Sequence, residues 1–222
     1  MFIKSNDNAS IYYDKTGIGP AILLIHGLGG DHTIWNNSGW IDELKNDFTV
    51  ITFDLRGCGQ SEVGHNEDFY SIENHLADIT SILDYEEIND PILFGWSLGG
   101  TITTQYASKY RLKKAIVCGT YFGIIFSKEF IKKGIKGTED IVLQKRMRAL
   151  YKWPIIEPEQ MNCPYLIYTG TDDASVYQKL NIQNEKIIKN NGRVVFFDKV
   201  DHFGLITQKE MVKNDVINFL KS

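Results

Sequence analysis

Residues 95 to 99, Gly95-Trp96-Ser97-Leu98-Gly99, set a serine between two glycines. There an apolar run, "PILFGWS", gives way to small residues suited to a helix, "GTITTQYA". A serine so placed is either a nucleophile or a polar residue in a tight turn. A strand that turns at once into a helix strains the residue at the turn and needs neighbours without bulk two positions away. It also lifts that residue's hydroxyl clear of the sheet. The helix behind it offers unpaired N–H groups and positive dipole to a developing oxyanion. A second glycine-rich turn, "IHGLGGD" (25 to 31), follows another apolar run. Neither G-x-x-x-x-G-K-[ST] nor G-x-G-x-x-G follows, so nucleotide binding is a poor reading of it.

The remaining reactive residues narrow the chemistry. Five histidines, His26, His32, His65, His75 and His202, are scattered without H-E-x-x-H or other dense ligand spacing, which disfavours a metal hydrolase. Cys58, Cys118 and Cys163 are far apart and read as free thiols in a reducing compartment. No cofactor is implied. The net charge of −4, with no basic stripe along the chain, argues against nucleic acid as a partner. No apolar window is long enough for a membrane span, and the opening "MFIKSNDNAS" has no signal-peptide character. A cytoplasmic location is therefore the expectation.

The elements that must hold these residues follow from the hydrophobic pattern. At 222 residues, 43% hydrophobic and 23% charged, the chain is sized and composed for one packed α/β domain. Apolar runs at 21–27, 48–54, 91–97, 113–120, 164–170 and 193–200 read as strands buried on both faces of a parallel sheet. "ASIYYD", near the start, alternates and reads as an antiparallel edge strand. Helical patterns lie between the runs: "SGWIDELKND", "SIENHLADITSILDYEEI", "GTITTQYASKY", "YQKLNIQNEKIIKNN" closed by Gly192, and "TQKEMVKNDVINFLKS". The alternation implies a doubly wound, mostly parallel sheet. Tyr121 to Asn162 breaks the rhythm with no strand candidate, and is too long for an ordinary loop. It reads as a small helical cap (121–162) inserted into a core made of 1–120 and 163–222.

In this order the motifs resemble those of the α/β-hydrolase superfamily. Gly95-Trp96-Ser97-Leu98-Gly99 fits its G-x-S-x-G nucleophile elbow, and "FDLRGCGQS" (53 to 61) resembles its D-x-R-G-x-G-x-S loop. The resemblance implies that Leu28, after His26-Gly27, and Leu98, after the serine, donate backbone N–H groups to an oxyanion hole. It implies Asp54, Arg56, Gly57, Gly59 and Ser61 as structural. The family's acid falls in Gly170-Thr171-Asp172-Asp173, where the G-x-x-D pattern selects Asp173 and Asp172 competes. Its base falls at His202, although Asp201 stands where many relatives have glycine. Ser97, Asp173 and His202 then form a triad in the family's chain order, with His202 taking the proton from Ser97 and Asp173 fixing the imidazole.

A serine at the elbow argues against the relatives whose nucleophile there is Asp, and the short cap with an apolar pocket points to an esterase-like enzyme acting on a small or medium acyl ester. Lactonases, thioesterases, carbon–carbon bond hydrolases and receptor-like or inactive members share the same residues. Phe122, Phe126 and Trp153 in the cap are expected to line an apolar substrate pocket. Trp96 and Trp35 either approach the site or pack the core. Between Lys128 and Lys152 the cap carries eight Lys or Arg against three acids. That excess is either a solvated helix face or a field that steers anionic substrates.

Overall fold

The computed structural model describes residues 1–123 and 127–222. Eight strands form one sheet: β1 (Phe2–Lys4), β2 (Ser10–Gly17), β3 (Ala21–Ile25), β4 (Thr49–Phe53), β5 (Ile92–Trp96), β6 (Lys114–Cys118), β7 (Tyr165–Gly170) and β8 (Gly192–Phe197). Their spatial order is β1-β2-β4-β3-β5-β6-β7-β8. From β4 to β8 all pairs are parallel, while β1 and β2 are antiparallel. The edge expected at "ASIYYD" is instead occupied by β1, which pairs Phe2 with Tyr12 and Lys4 with Ser10. Three residues are too few to carry a period-two pattern, so the sequence hid the outer strand.

Side-chain alternation divides the core in two. On β3, Leu23 and Ile25 join Leu93, Val117 and Ile167 on one face, whereas Ile22 and Leu24 join Phe94, Ile116 and Tyr168 on the other. The first face is covered by α3 (Ile72–Tyr85) and α4 (Leu98–Lys109), through Leu76, Ile79 and Ile102. The second is covered from α1 (Thr33–Asn37), α2 (Trp40–Leu44), α8 (Gly204–Thr207) and α9 (Lys209–Lys221), through Trp35, Trp40, Leu205 and Val216. "SGWIDELKND" holds the single short helix α2, and Gly39, in a left-handed conformation (φ 75°), separates it from α1, which the sequence pattern did not mark.

Between β6 and β7 the described residues hold α5 (Lys128–Lys136), α6 (Ile141–Ala149) and two short 3₁₀ turns, with no strand. Ser127 caps α5 and Asp140 caps α6 through their side chains. The helix α7 (Ala174–Lys189) is not closed by Gly192. Asn191 takes the left-handed position (φ 59°), and Gly192 opens β8, where a Cβ would lie 2.5 Å from the Tyr165 ring.

Candidate active site

The nucleophile candidate stands where β5 runs into α4. Ser97 has φ 55° and ψ −117°, a conformation costly for a residue with a side chain. Two close approaches make it attainable. A Cβ on Gly95 would lie 2.0 Å from the Gly99 carbonyl oxygen, and one on Gly99 would lie 2.0 Å from that of Ile25. The Ser97 N–H donates to the Cys118 carbonyl (2.8 Å), which ties the turn to β6. Leu98 is the first residue of α4, so its N–H has no acceptor one turn back. Among the described residues, neither that N–H nor the Leu28 N–H donates to a protein acceptor.

The loops after β7 and β8 meet this turn at the same end of the sheet. His202 Nε2 lies 3.0 Å from Ser97 Oγ, and its Nδ1 lies 2.6 Å from Asp173 Oδ2. A hydroxyl, an imidazole and a carboxylate in this chain are what proton abstraction from a nucleophile requires. The imidazole is 33% exposed, so a substrate can reach it, while the Asp173 side chain is mostly buried. Asp172, the competing acid, is exposed, and Asp201 instead accepts the Gly204 N–H (2.6 Å) at the start of α8. Trp96 donates from Nε1 to the His202 carbonyl (3.1 Å), and its ring centroid lies 5.4 Å from the imidazole. It therefore grips the His202 loop from the position beside Ser97.

Beneath the loop that carries Leu28 the polar residues are held by hydrogen bonds. His26 is fully buried, with Nδ1 2.8 Å from the Gly27 carbonyl and Nε2 accepting the Leu55 N–H (3.0 Å). Burial drives its pKa down to about 4, so it is neutral at pH 7. Asp54 accepts the N–H groups of His32 and Gln60 (both 2.8 Å) and faces His32 Nδ1 at 2.7 Å. Asp31, His32 and Asp54 bring ligand-type atoms within 4.8 Å of one another, but Asp54 is already engaged with loop donors. Arg56 is fully buried between Asp78 and Asp7. Burial opposes its charge, yet the two carboxylates raise its pKa above the ordinary value.

The expected substrate-side residues divide. Phe122 and Trp153 line a cavity of about 370 Å³ together with Thr101, Gln105 and Ile156. Thr101 connects it to the elbow, because its N–H donates to the Ser97 carbonyl (3.1 Å). Trp35 is not at the site. It is fully buried on the opposite face of the sheet, edge-on to Phe94 at 5.1 Å, because β3 and β5 present their even-numbered side chains there. Phe126 lies outside the described residues. The basic stretch from Lys128 to Lys152 is not uniformly a solvated face either: Lys132 and Lys133 are exposed, but Arg146 is buried. Sequence reasoning missed Phe203, 64% exposed and 5.4 Å from the Trp96 ring, since adjacency to His202 was its sole signal.

Comparison with known proteins bears on this arrangement. The chain is 42% identical over 97 residues to an uncharacterized protein of Mycobacterium tuberculosis, which takes in 42% of this chain and 26% of that one. It is 31% identical over 111 residues to the pimeloyl-[acyl-carrier protein] methyl ester esterase of Vibrio parahaemolyticus, 49% of this chain and 40% of that protein. The matched stretches thus span less than half the length of these relatives. An esterase from Exiguobacterium antarcticum superposes with a TM-score of 0.86 at 17% identity, over 100% of this chain and 99% of the other. The enol-lactonase of Burkholderia xenovorans does so at 0.81 and 19%, over all of both chains. These two likenesses are of fold. Among the described residues no helix is long and apolar enough to cross a membrane. The alpha/beta hydrolase fold family matches residues 20–133, from the turn before β3 into α5, and this chain belongs to that family.

Proposed function

We propose that the protein is a serine hydrolase that cleaves a small or medium acyl ester, with Ser97, His202 and Asp173 as its triad. The observation that carries this reading is the chain Ser97 Oγ, His202 Nε2, His202 Nδ1, Asp173 Oδ2, with contacts of 3.0 and 2.6 Å. Ser97 Oγ attacks the ester carbonyl carbon while His202 Nε2 takes its proton. The carbonyl electron pair moves onto oxygen, which faces the N–H groups of Leu28 and Leu98. When that pair returns, the bond to the alkoxide breaks and His202 delivers the proton to the departing alcohol. A water molecule repeats the sequence on the acyl-enzyme and releases the acid. The cavity beside Thr101, walled by Phe122 and Trp153, supports an acyl group of modest size. The esterase among the relatives supports ester chemistry, and the two backbone donors would serve a lactone or thioester carbonyl equally.

A fluorophosphonate probe should label Ser97, and Ser97→Ala should lower ester kcat on the order of 10⁵-fold or more with its melting temperature retained. A screen over short acyl esters, lactones and thioesters then ranks the substrates. A folded protein that takes no label and turns nothing over would reassign the site to ligand binding without catalysis.

A further inference from the structure

Buried polar side chains in folded proteins are almost all hydrogen-bonded. Three neighbouring ones between the inserted segment and the core are not. Arg146, on α6, is 6% exposed, and its Nη2 has no partner. His75, on α3, is 3% exposed, with Nδ1 unpartnered, and the buried indole Nε1 of Trp153 is likewise without an acceptor. The rings of His75 and Trp153 meet edge to face at 5.5 Å, and the charge of Arg146 acts on His75 and on His26.

The protein's other buried arginine shows what is missing. Arg56 is saturated: both oxygens of Asp78 lie at 2.7 Å, Asp7 takes two more bonds, Ser5 a fifth, and the Phe69 ring covers its face at 4.7 Å. Among the described residues Arg146 has no carboxylate partner, and its Nη2 has no hydrogen-bond acceptor. A cation taken out of water without a counter-ion is costly, and an anion from outside the chain removes the cost. Arg146 and Trp153 can only donate, and His75, neutral through burial, donates in its Nδ1–H tautomer. A planar guanidinium matches the two oxygens of a carboxylate, and one buried cation balances its single charge.

The cavity beside the elbow assigns the anion to the acyl side: Trp153 lines it together with Thr101, and the Trp153 ring meets His75 edge to face, whereas the alcohol leaves toward His202, which protonates it. We infer that Arg146, His75 and Trp153 form a subsite for a carboxylate at the far end of the acyl group, so that the substrate is a half-ester of a dicarboxylic acid. The placement on the acyl side rests on the hydrolase reading; the anion subsite itself does not.

The test pairs monomethyl esters of succinate through pimelate with methyl esters of monocarboxylic acids of matching length, for the wild type and Arg146→Met. At the best length the wild type should prefer the half-ester at least about tenfold in kcat/KM, and Arg146→Met should lower that preference roughly a hundredfold. The melting temperature of Arg146→Met should equal or exceed the wild type's, since an uncompensated buried charge is gone. A lower melting temperature with an unchanged preference would make Arg146 a structural residue and overturn the inference. So would loss of folded protein in both Arg146→Met and Arg146→Gln. A second measurement needs no turnover: glutarate, adipate or pimelate should raise the melting temperature of Ser97→Ala but not of Ser97→Ala with Arg146→Met. If that holds while no ester is cleaved, the subsite stands and the hydrolase reading fails. If esters are cleaved without preference and no dicarboxylate stabilises, the subsite fails alone.

Discussion

Trp96 does more at the site than fill space. Its indole N–H holds the carbonyl of His202, its ring lies beside the imidazole, and a Cβ on Gly27 would lie 3.1 Å from that ring. One side chain thus touches the loops carrying Leu28, Ser97 and His202. Trp96→Phe keeps an aromatic ring and removes the hydrogen bond. Such a bond contributes about 1 kcal/mol, so kcat should fall roughly fivefold to tenfold with KM little changed. A proportional rise in KM with constant kcat would show that Trp96 binds substrate instead of holding the base. The elbow, Asp173 and His202 were legible in the sequence because local turn chemistry and chain order mark them. The role of Trp96 was not, since its partner lies 106 residues away. Arg146 was visible only as one of eight basic residues, because whether a cation is solvated or buried depends on packing.

At the scale of elements, α4 is what makes the conformation of Ser97 sustainable. Leu98 through Ala107 are all buried, so this helix is enclosed rather than amphipathic. Its threonines are satisfied internally: Thr103 donates to the Gly99 carbonyl (2.9 Å) and Thr104 to that of Thr101 (2.8 Å). Gly99 lets the helix start against the end of β3. In Gly99→Ala the new methyl group would meet the Ile25 carbonyl, and backbone cannot swing away as a side chain can. The expected loss is about 3 kcal/mol or more, read as a lower denaturant midpoint with an unchanged slope. Activity should fall further than stability, because the displaced turn carries Ser97 and the Leu98 N–H. An alanine variant of wild-type stability would refute this account of the glycine. The parallel strands were legible as apolar runs. The end of α7 was misassigned because Asn191, not the glycine beside it, takes the left-handed turn, and Gly192 answers to the Tyr165 ring.

For the whole molecule, burying two histidines makes stability depend on pH. His26 is fully buried, and His75 nearly so. Burial, reinforced by Arg146, lowers the pKa of His26 to about 4 and pushes that of His75 well below its ordinary value. In the unfolded chain both titrate near 6.5. Between about pH 6.5 and 4 the unfolded state therefore binds more protons than the folded one, and stability falls as the pH falls. Each histidine contributes a slope of about 1.4 kcal/mol per pH unit once the pH is well below 6.5. Protonating His26 would also cost the Leu55 N–H its acceptor at Nε2. Denaturant midpoints measured from pH 7 to 4.5 should decline, less steeply than two histidines alone would give, because burial raises the Asp78 carboxyl to about 6 and the folded state takes up that proton first. His75→Phe should lower the slope by about 1.4 kcal/mol per pH unit. A His75→Phe slope equal to the wild type's would mean that this ring takes up its proton in the folded state. Arg146 could not then be the uncompensated cation that helps keep both rings neutral.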